Sequence, residues 1–495
     1  MNISTILDMA AEAFGDRIGV VNGAERLDYA TLRARAQAAA ARIQASGAKY
    51  LVMLDVSSPA VPVAIFAAAY AGVPYVPLNY RLTQAEINAL LARVTPALVV
   101  VGEAYAPLIE KRDDLQLIAR ADFFNLPEPA APIIPEEDPH AVAVNLFTSG
   151  TTGAPKAAIL RHENLMSYIM GTVEFGCADE ADAIVVTVPP YHIAGISAVL
   201  SSTWACRRMV QLENFTPAAW LDAMRNESVS NAFLVPTMLQ RIVDHLDAEK
   251  AQPNLPNLRA LAYGGGKMPL TTITRAMQLF SGVDFTNAYG LTETSSTVAV
   301  LGPDDHRAAL ASDDPLVRRR LGSVGKAAAV EIEIRDDDGK VLGPDEAGLV
   351  FVRGPQVSGE YENLGSQLDA EGWFPTKDRG YLDAEGYLYL DGRADDVIVR
   401  GGENISPGEI EEVLLTHPAV ADCACVAMPD EQWGEGVAAA IVLKPGTAAE
   451  AAELQELVKG QLRSSRVPQK IVFKDALPYN ETGKVLRRVI RQEFA

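Results

Sequence analysis

Over its first hundred residues the chain alternates short apolar runs with stretches at helical spacing, and this alternation restricts the fold more than any other feature. Leu32, Ala36, Ala39 and Ile43 recur at helical spacing, Arg33, Gln37 and Arg42 fill polar positions between them, and Gly47 offers a stop. Leu51 to Val56 then reads as a short buried strand. Ala60 to Leu78 carries no charge but is broken by Pro62, Gly72, Pro74 and Pro77. It predicts a buried helix running into a buried strand, rather than a membrane span. Thr83 followed by Glu86 is a capping box opening another helix, ended before Pro96, and Leu98 to Val101 is the next strand. Strands that alternate with helices in this way pair in parallel and carry the helices on their faces, which predicts an α/β fold.

The chain has 495 residues, enough for two to four folding units. Acidic residues outnumber basic ones by 64 to 43, giving a formal charge of −21. A nucleic-acid partner would require a basic face, so none is expected. Apolar residues make up 48% and charged residues 22%, which excludes disorder and allows large cores. Four cysteines fit a reducing compartment. Cys423 and Cys425 share one strand face with no histidine nearby to complete a metal site, so they are expected in the core. Met1 to Phe14 holds Asp8 and Glu12 without a basic cluster, and the closing Gln-Glu-Phe-Ala is no lipidation or peroxisomal signal. The expectation is a cytoplasmic protein with no membrane span. The oligomeric state stays open, a homodimer included.

Prolines and acidic residues gather from Pro127 to Pro139, a surface connection before the strand Ala141 to Phe147. Arg335 to Lys340 reads as a polar turn between strands Val330–Ile334 and Leu349–Val352. A third break falls at Asp391-Gly-Arg393, beyond which about a hundred residues suffice for a small α+β domain.

The densest chemistry lies in Thr148-Ser149-Gly150-Thr151-Thr152-Gly153-Ala-Pro-Lys156, directly after a strand. Glycines let backbone N–H groups approach an anion, hydroxyls donate to its oxygens, and the lysine adds charge. This is phosphate-loop chemistry without the Walker spacing. The plainer alternative is a flexible Ser/Thr/Gly loop. Asn287-Ala288-Tyr289-Gly290-Leu-Thr292-Glu293 offers a ring to stack on a base, a hydroxyl for a phosphate and a carboxylate for Mg²⁺. Thr376-Lys-Asp378 offers a carboxylate to a ribose. Arg393 follows, then Arg400-Gly401-Gly402 and, near the end, Asn480-Glu-Thr-Gly-Lys484 in a polar turn.

Taken together and in this order, these motifs resemble the adenylate-forming superfamily: acyl- and aryl-CoA synthetases, luciferases and the adenylation domains of peptide synthetases. The resemblance runs essentially end to end. It implies a large N-terminal domain of layered sheets and helices, residues 1–392, and a small mobile α+β C-terminal domain, residues 393–495. The loop from Thr148 to Lys156 would surround the β- and γ-phosphates, with Thr151 and Thr152 as contacts. Gly264, Gly265 and Gly266 would flank the adenine and Tyr289 would stack on it. Thr292 would touch the α-phosphate, Glu293 would hold Mg²⁺, and Asp378 and Arg393 would bind the ribose. Asp395 would be the hinge and Lys484 the adenylation lysine.

The implied reaction joins a carboxylate to AMP with loss of pyrophosphate, then passes the acyl group to a thiol. Charge gathers on phosphate oxygens in the first step, so loop N–H groups, Mg²⁺ and a lysine suit it. In the second step domain rotation would withdraw Lys484 and present Gly401 and Gly402, with Arg400, to CoA. His192 would stand as a gate between acyl pocket and thiol tunnel, against the plainer reading of a satisfied buried histidine. His192, Ser197, Gly264, Ala288, Gly290 and Ser295 would line the acyl pocket, and their small size points to a bulky or extended apolar acid.

No acid stands between Val185 and Cys206 to pair with an amino-acid ammonium, which favours a simple carboxylic acid, and only eleven residues follow Lys484, so a free acceptor is expected. The resemblance is strongest to 4-chlorobenzoate–CoA and fatty-acid–CoA ligases, which implies an ATP-dependent acid–CoA ligase. The alternatives are an acyl-AMP ligase loading a separate carrier protein and a luciferase-like oxidase. Two positions depart from the family pattern. Lys377 stands where Gly or Ser is usual before the ribose aspartate, and its long cation could point to solvent or disturb Asp378. Ser465-Arg-Val-Pro468 replaces a more usual aromatic-Lys-Val-Pro in a segment that helps relatives bind CoA.

Overall fold

A computed structural model describes residues 1–148, 155–479 and 485–494. Two large sheets dominate the first four-fifths of the chain. In spatial order, the eight-stranded sheet runs Gly365–Ser366, Glu360–Tyr361, Lys156–Arg161, Val142–Thr148, Tyr75–Pro77, Tyr50–Leu54, Ala97–Val101, Leu115–Ala119. The nine-stranded sheet runs Lys326–Ala327, Ser296–Leu301, Asp284–Leu291, Ala260–Gly264, Asn231–Leu234, Ala183–Val186, Arg208–Gln211, Ile18–Asn22, Glu25–Asp28. Their central strands pair in parallel, as alternation with helices requires, and antiparallel pairs close the edges.

One core joins the two sheets. It takes Leu51, Met53 and Val100 from one, Val20, Val186 and Met209 from the other, and apolar faces of the helices Ser4–Phe14, Tyr29–Ser46, Ala60–Ala71 and Ile193–Trp204. This explains the uncharged stretch: from Ala60 to Tyr70 every side chain of the helix is buried, and the helix stops at Gly72 before the strand Tyr75–Pro77. The helix Tyr29–Ser46 is capped at its start by the Asp28 carboxylate, which accepts from the Thr31 N–H at 2.7 Å, and at its end by Gly47 with φ of 69°. The capping box of Thr83 and Glu86 opens the helix Gln84–Leu91.

A third sheet of four antiparallel strands follows, Glu331–Arg335, Gly348–Arg353, Phe374–Leu382 and Leu388–Arg393. The short turn Ala394–Asp396 then leads into the last sheet, built from Ile398–Arg400, Glu403–Ile405, Val420–Asp430, Gly434–Leu443 and Lys470–Lys474. The helices Pro407–Leu415 and Ala451–Gln461 pack on it. The fold is thus mixed α/β, with a large N-terminal and a small C-terminal domain. Cys423 and Cys425 lie inside that small core, where burial pushes both thiols well above their ordinary range. Among the described residues no helix is long and apolar enough to cross a membrane.

Candidate active site

The strand Asp284–Leu291 carries most of the second motif, and its packing dictates where glycine stands. It pairs in parallel with Ala260–Gly264, Gly264 lying opposite Ala288, and antiparallel with Ser296–Leu301 on its other side. A Cβ on Gly264 would come within 2.1 Å of the Ala288 carbonyl oxygen, and one on Gly290 within 1.7 Å of the Ser296 carbonyl oxygen. Strand packing therefore demands glycine at both positions before any ligand is considered. Ala288 to Glu293 are all half-buried although they follow the middle of a sheet, so this strand end faces a crevice. Gly265 and Gly266 lie exposed beyond the adjoining strand.

Tyr289, Asp378 and Arg393 meet in that crevice. The Tyr289 hydroxyl donates to Asp378 Oδ2 at 2.5 Å, and Arg393 Nη1 donates to Asp378 Oδ1 at 3.1 Å and to the Thr376 carbonyl at 3.2 Å. Asp378 and Arg393 are direct partners across two antiparallel strands, which fixes the pair. Burial, then the Asp378 charge, pushes the Tyr289 hydroxyl far above its ordinary value, so it stays a donor. For Arg393, burial opposes the charge and Asp378 beside it more than offsets that, keeping the guanidinium charged. Each carboxylate oxygen has a second acceptor direction, so Asp378 retains two sites for a pair of hydroxyls such as those of a ribose.

Lys377 does not displace this aspartate. It is exposed, it adopts φ of 64°, and the strand register shifts just after it, between Arg379 and Gly380. The long cation turns to solvent while Asp378 stays buried. The positive φ also explains why glycine suits such a position.

Glu293 lies on the short turn Thr292–Thr294, with Thr292 half-buried beside it. Its carbonyl accepts from the backbone N–H groups of Ser358 and Gly359 at 2.9 and 3.1 Å, and the Tyr361 hydroxyl donates to its Oε1. Lys156 closes this group, with its Nζ 5.6 Å from the centre of the Tyr361 ring. Thr148 faces Lys156 across the hairpin, and its hydroxyl donates to the Lys156 carbonyl at 3.3 Å. Ser149, Gly150, Thr151, Thr152 and Gly153 lie outside the described residues, as does Lys484.

A divalent cation would find the Glu293 carboxylate here. Among the described residues no three His, Cys, Asp or Glu side chains group to hold a metal unaided. The half-buried Glu293 carboxylate fits a magnesium ion bound through one carboxylate together with nucleotide phosphates.

The expected acyl wall is only partly assembled from the named residues. His192 is half-buried and sits at the N-terminus of the helix Ile193–Trp204. Ser197, one turn along, is buried and donates to the Ser295 carbonyl at 3.4 Å. Ser295 is wholly buried with its hydroxyl on the Gln356 carbonyl at 2.8 Å, so it stands behind the wall rather than lining it. Asn287 is likewise turned inward, its amide donating to the Ser323 carbonyl at 3.2 Å.

On the small domain, Gly401 and Gly402 form the turn between Ile398–Arg400 and Glu403–Ile405, and Gly401 lies against the Trp433 indole. Arg400 Nη1 donates to the Ser465 carbonyl at 2.9 Å. Asp395 sits in the turn Ala394–Asp396. The two domains touch through Lys267, whose Nζ reaches Glu412 Oε1 at 2.8 Å and the Gly408 carbonyl at 3.2 Å.

Sequence reasoning missed Tyr361 and gave Arg487, inside the closing motif Asn480 to Arg488, no role. Neither belongs to a periodic pattern, and each acquires its partner only through pairing distant in the chain. Arg487 forms a two-pronged ion pair with the buried Glu411, at 2.5 and 3.1 Å, and lies 3.5 Å from Asp396 in the turn Ala394–Asp396.

Comparison with known proteins agrees with this geometry. The family described as AMP-binding enzyme matches residues 7–362, and its C-terminal domain matches residues 409–484. Indoleacetate–CoA ligase from Aromatoleum aromaticum is 31% identical over 95% of this chain and 93% of its own length. Feruloyl-CoA synthase from an Amycolatopsis species is 30% identical over 96% of this chain and 95% of its own. The o-succinylbenzoate CoA synthetase of Bacillus subtilis, solved with its acyl-adenylate intermediate, superposes with a TM-score of 0.84 at 28% identity, covering 98% of this chain and 97% of that one. This chain belongs to the AMP-binding enzyme family, the adenylate-forming enzymes, and stands among their acid–CoA ligases.

Proposed function

We propose that this ligase activates a bulky or extended apolar carboxylic acid, and that the residues gathered around Tyr289, Asp378, Arg393 and Glu293 hold its nucleotide. The observation that carries this reading is the meeting of Tyr289, Asp378 and Arg393 in one crevice, with Glu293 and Lys156 beside them. Tyr289 offers an aromatic face to the adenine, and the open sites on Asp378 accept the ribose hydroxyls. Arg393 holds Asp378 in place. Lys156, at the end of the Thr148–Lys156 loop, would meet the outer phosphates, and Thr292 the α-phosphate. Magnesium held by Glu293 would offset charge on the phosphate oxygens.

The substrate carboxylate attacks the α-phosphorus in line and pyrophosphate leaves. Lys484 supplies positive charge to the acyl and phosphate oxygens, and removing such a group costs on the order of a hundredfold in this step. A thiolate of CoA then attacks the acyl carbon and AMP departs. The division into residues 1–392 and 393–495, with the hinge at Asp395, lets one crevice serve both steps: Gly401 and Gly402 come to the thiol path as Lys484 leaves. His192 stands between the two. The relatives named for indoleacetate, feruloyl and succinylbenzoate groups support an aromatic acid over a short one.

The test is AMP and thioester formation across a panel of aromatic and aliphatic acids, with and without CoA, in the wild type and Lys484→Ala. CoA-dependent AMP release on one acid class, collapsing in the variant, is expected. Acyl-AMP formation with no thioester when CoA is supplied would reassign the acceptor. Full activity in Lys484→Ala would remove that lysine from the chemistry.

A further inference from the structure

The segment Gln356–Tyr361 reaches the nucleotide crevice from the far side, and its contacts converge on one turn. Gln356 donates to the Thr294 and Thr297 carbonyls at 3.2 and 2.7 Å, and Ser358 and Gly359 close on the Glu293 carbonyl. Tyr361 completes the grip through the Glu293 side chain. The same residue pairs with Ala158 in the strand Lys156–Arg161, which begins where the Thr148–Lys156 loop ends. Its ring lies under the Lys156 ammonium. One tyrosine thus touches both the lysine closing the phosphate loop and the carboxylate facing it.

We propose that Tyr361 is a positioning residue for the divalent cation: its hydroxyl fixes the Glu293 carboxylate so that its other oxygen faces the nucleotide phosphates. A carboxylate on a half-exposed turn can rotate, and each rotamer excluded by the hydroxyl no longer competes with the metal-binding one. Removal of such an outer hydrogen bond typically weakens metal binding by roughly tenfold or more. This inference rests on the reading that Glu293 holds the cation.

The experiment measures binding of a fluorescent ATP analogue at rising Mg²⁺, without acid or CoA, in the wild type, Tyr361→Phe and Glu293→Gln. Phenylalanine keeps the ring under Lys156 and the strand pairing, and thermal unfolding verifies the fold. The expected result is a roughly tenfold rise in the Mg²⁺ needed for half-maximal binding in Tyr361→Phe, with Mg²⁺-free affinity kept within about twofold. An unchanged Mg²⁺ response in Tyr361→Phe, with Glu293→Gln impaired, would overturn the proposal while sparing the Glu293 reading. An equal loss with and without Mg²⁺ in Tyr361→Phe would make the tyrosine merely structural. An unchanged response in Glu293→Gln would overturn the metal reading itself.

Discussion

His162 makes the acid stability of the large domain calculable. It is the first residue of the helix His162–Thr172, only 2% exposed, and its Nδ1 accepts the Ile3 N–H at 3.3 Å. Protonating Nδ1 would bury a charge and set two donors against each other. Burial, aided by the N-terminal ammonium, accordingly lowers its pKa from 6.5 to about 4. The folded value lies below the unfolded one, so between these values the unfolded chain binds more protons. Stability from the neutral ring is fully present above pH 6.5, falls as the pH drops, and is lost by about pH 4. Linkage between the two values gives a loss of about 2 kcal/mol on going from pH 7.5 to pH 5. Asparagine at this position keeps an acceptor for Ile3 and does not titrate. Urea unfolding at both pH values should therefore show His162→Asn losing about 2 kcal/mol less than the wild type. Equal losses in both proteins would refute the reasoning.

Two further substitutions follow from the geometry. Lys377 is an exposed non-glycine residue at φ of 64°, a conformation that costs about 1–2 kcal/mol, against about 0.5–1 kcal/mol for the extra freedom of an unfolded glycine. Lys377→Gly should raise stability by up to about 1 kcal/mol in denaturant unfolding, and a clear loss would contradict the strain argument. Arg487→Leu leaves Glu411, 7% exposed, without its guanidinium and should destabilise the small domain by about 3–5 kcal/mol. Thermal unfolding of the double variant with Glu411→Leu should recover much of that loss.

How much the sequence revealed depended on the range of the interaction. The capping box of Thr83 and Glu86, the stop at Gly47 and the break of Ala60–Leu78 at Gly72 are decided within a few residues, and each is found in the structure. The Tyr-Gly and Thr-Lys-Asp motifs could be named, but their meeting required strand register: Tyr289 and Asp378 stand 89 residues apart. The burial of Ser295, expected to line the acyl pocket, has a related cause. The turn Thr292–Thr294 gives Ser295 φ of 58° and sends its hydroxyl into the Gln356 carbonyl, a contact over 61 residues that no local pattern signals. Tyr361 was illegible because its role comes from pairing with a strand some two hundred residues earlier.

Isotope exchange between labelled pyrophosphate and ATP, measured with an aromatic acid and without CoA, tests the central claim most directly. Reversible formation of an acyl-adenylate in this crevice predicts exchange that requires the acid and Mg²⁺, and that falls strongly in Asp378→Ala. Exchange independent of the acid, or thioester formation accompanied by ADP and phosphate, would contradict it.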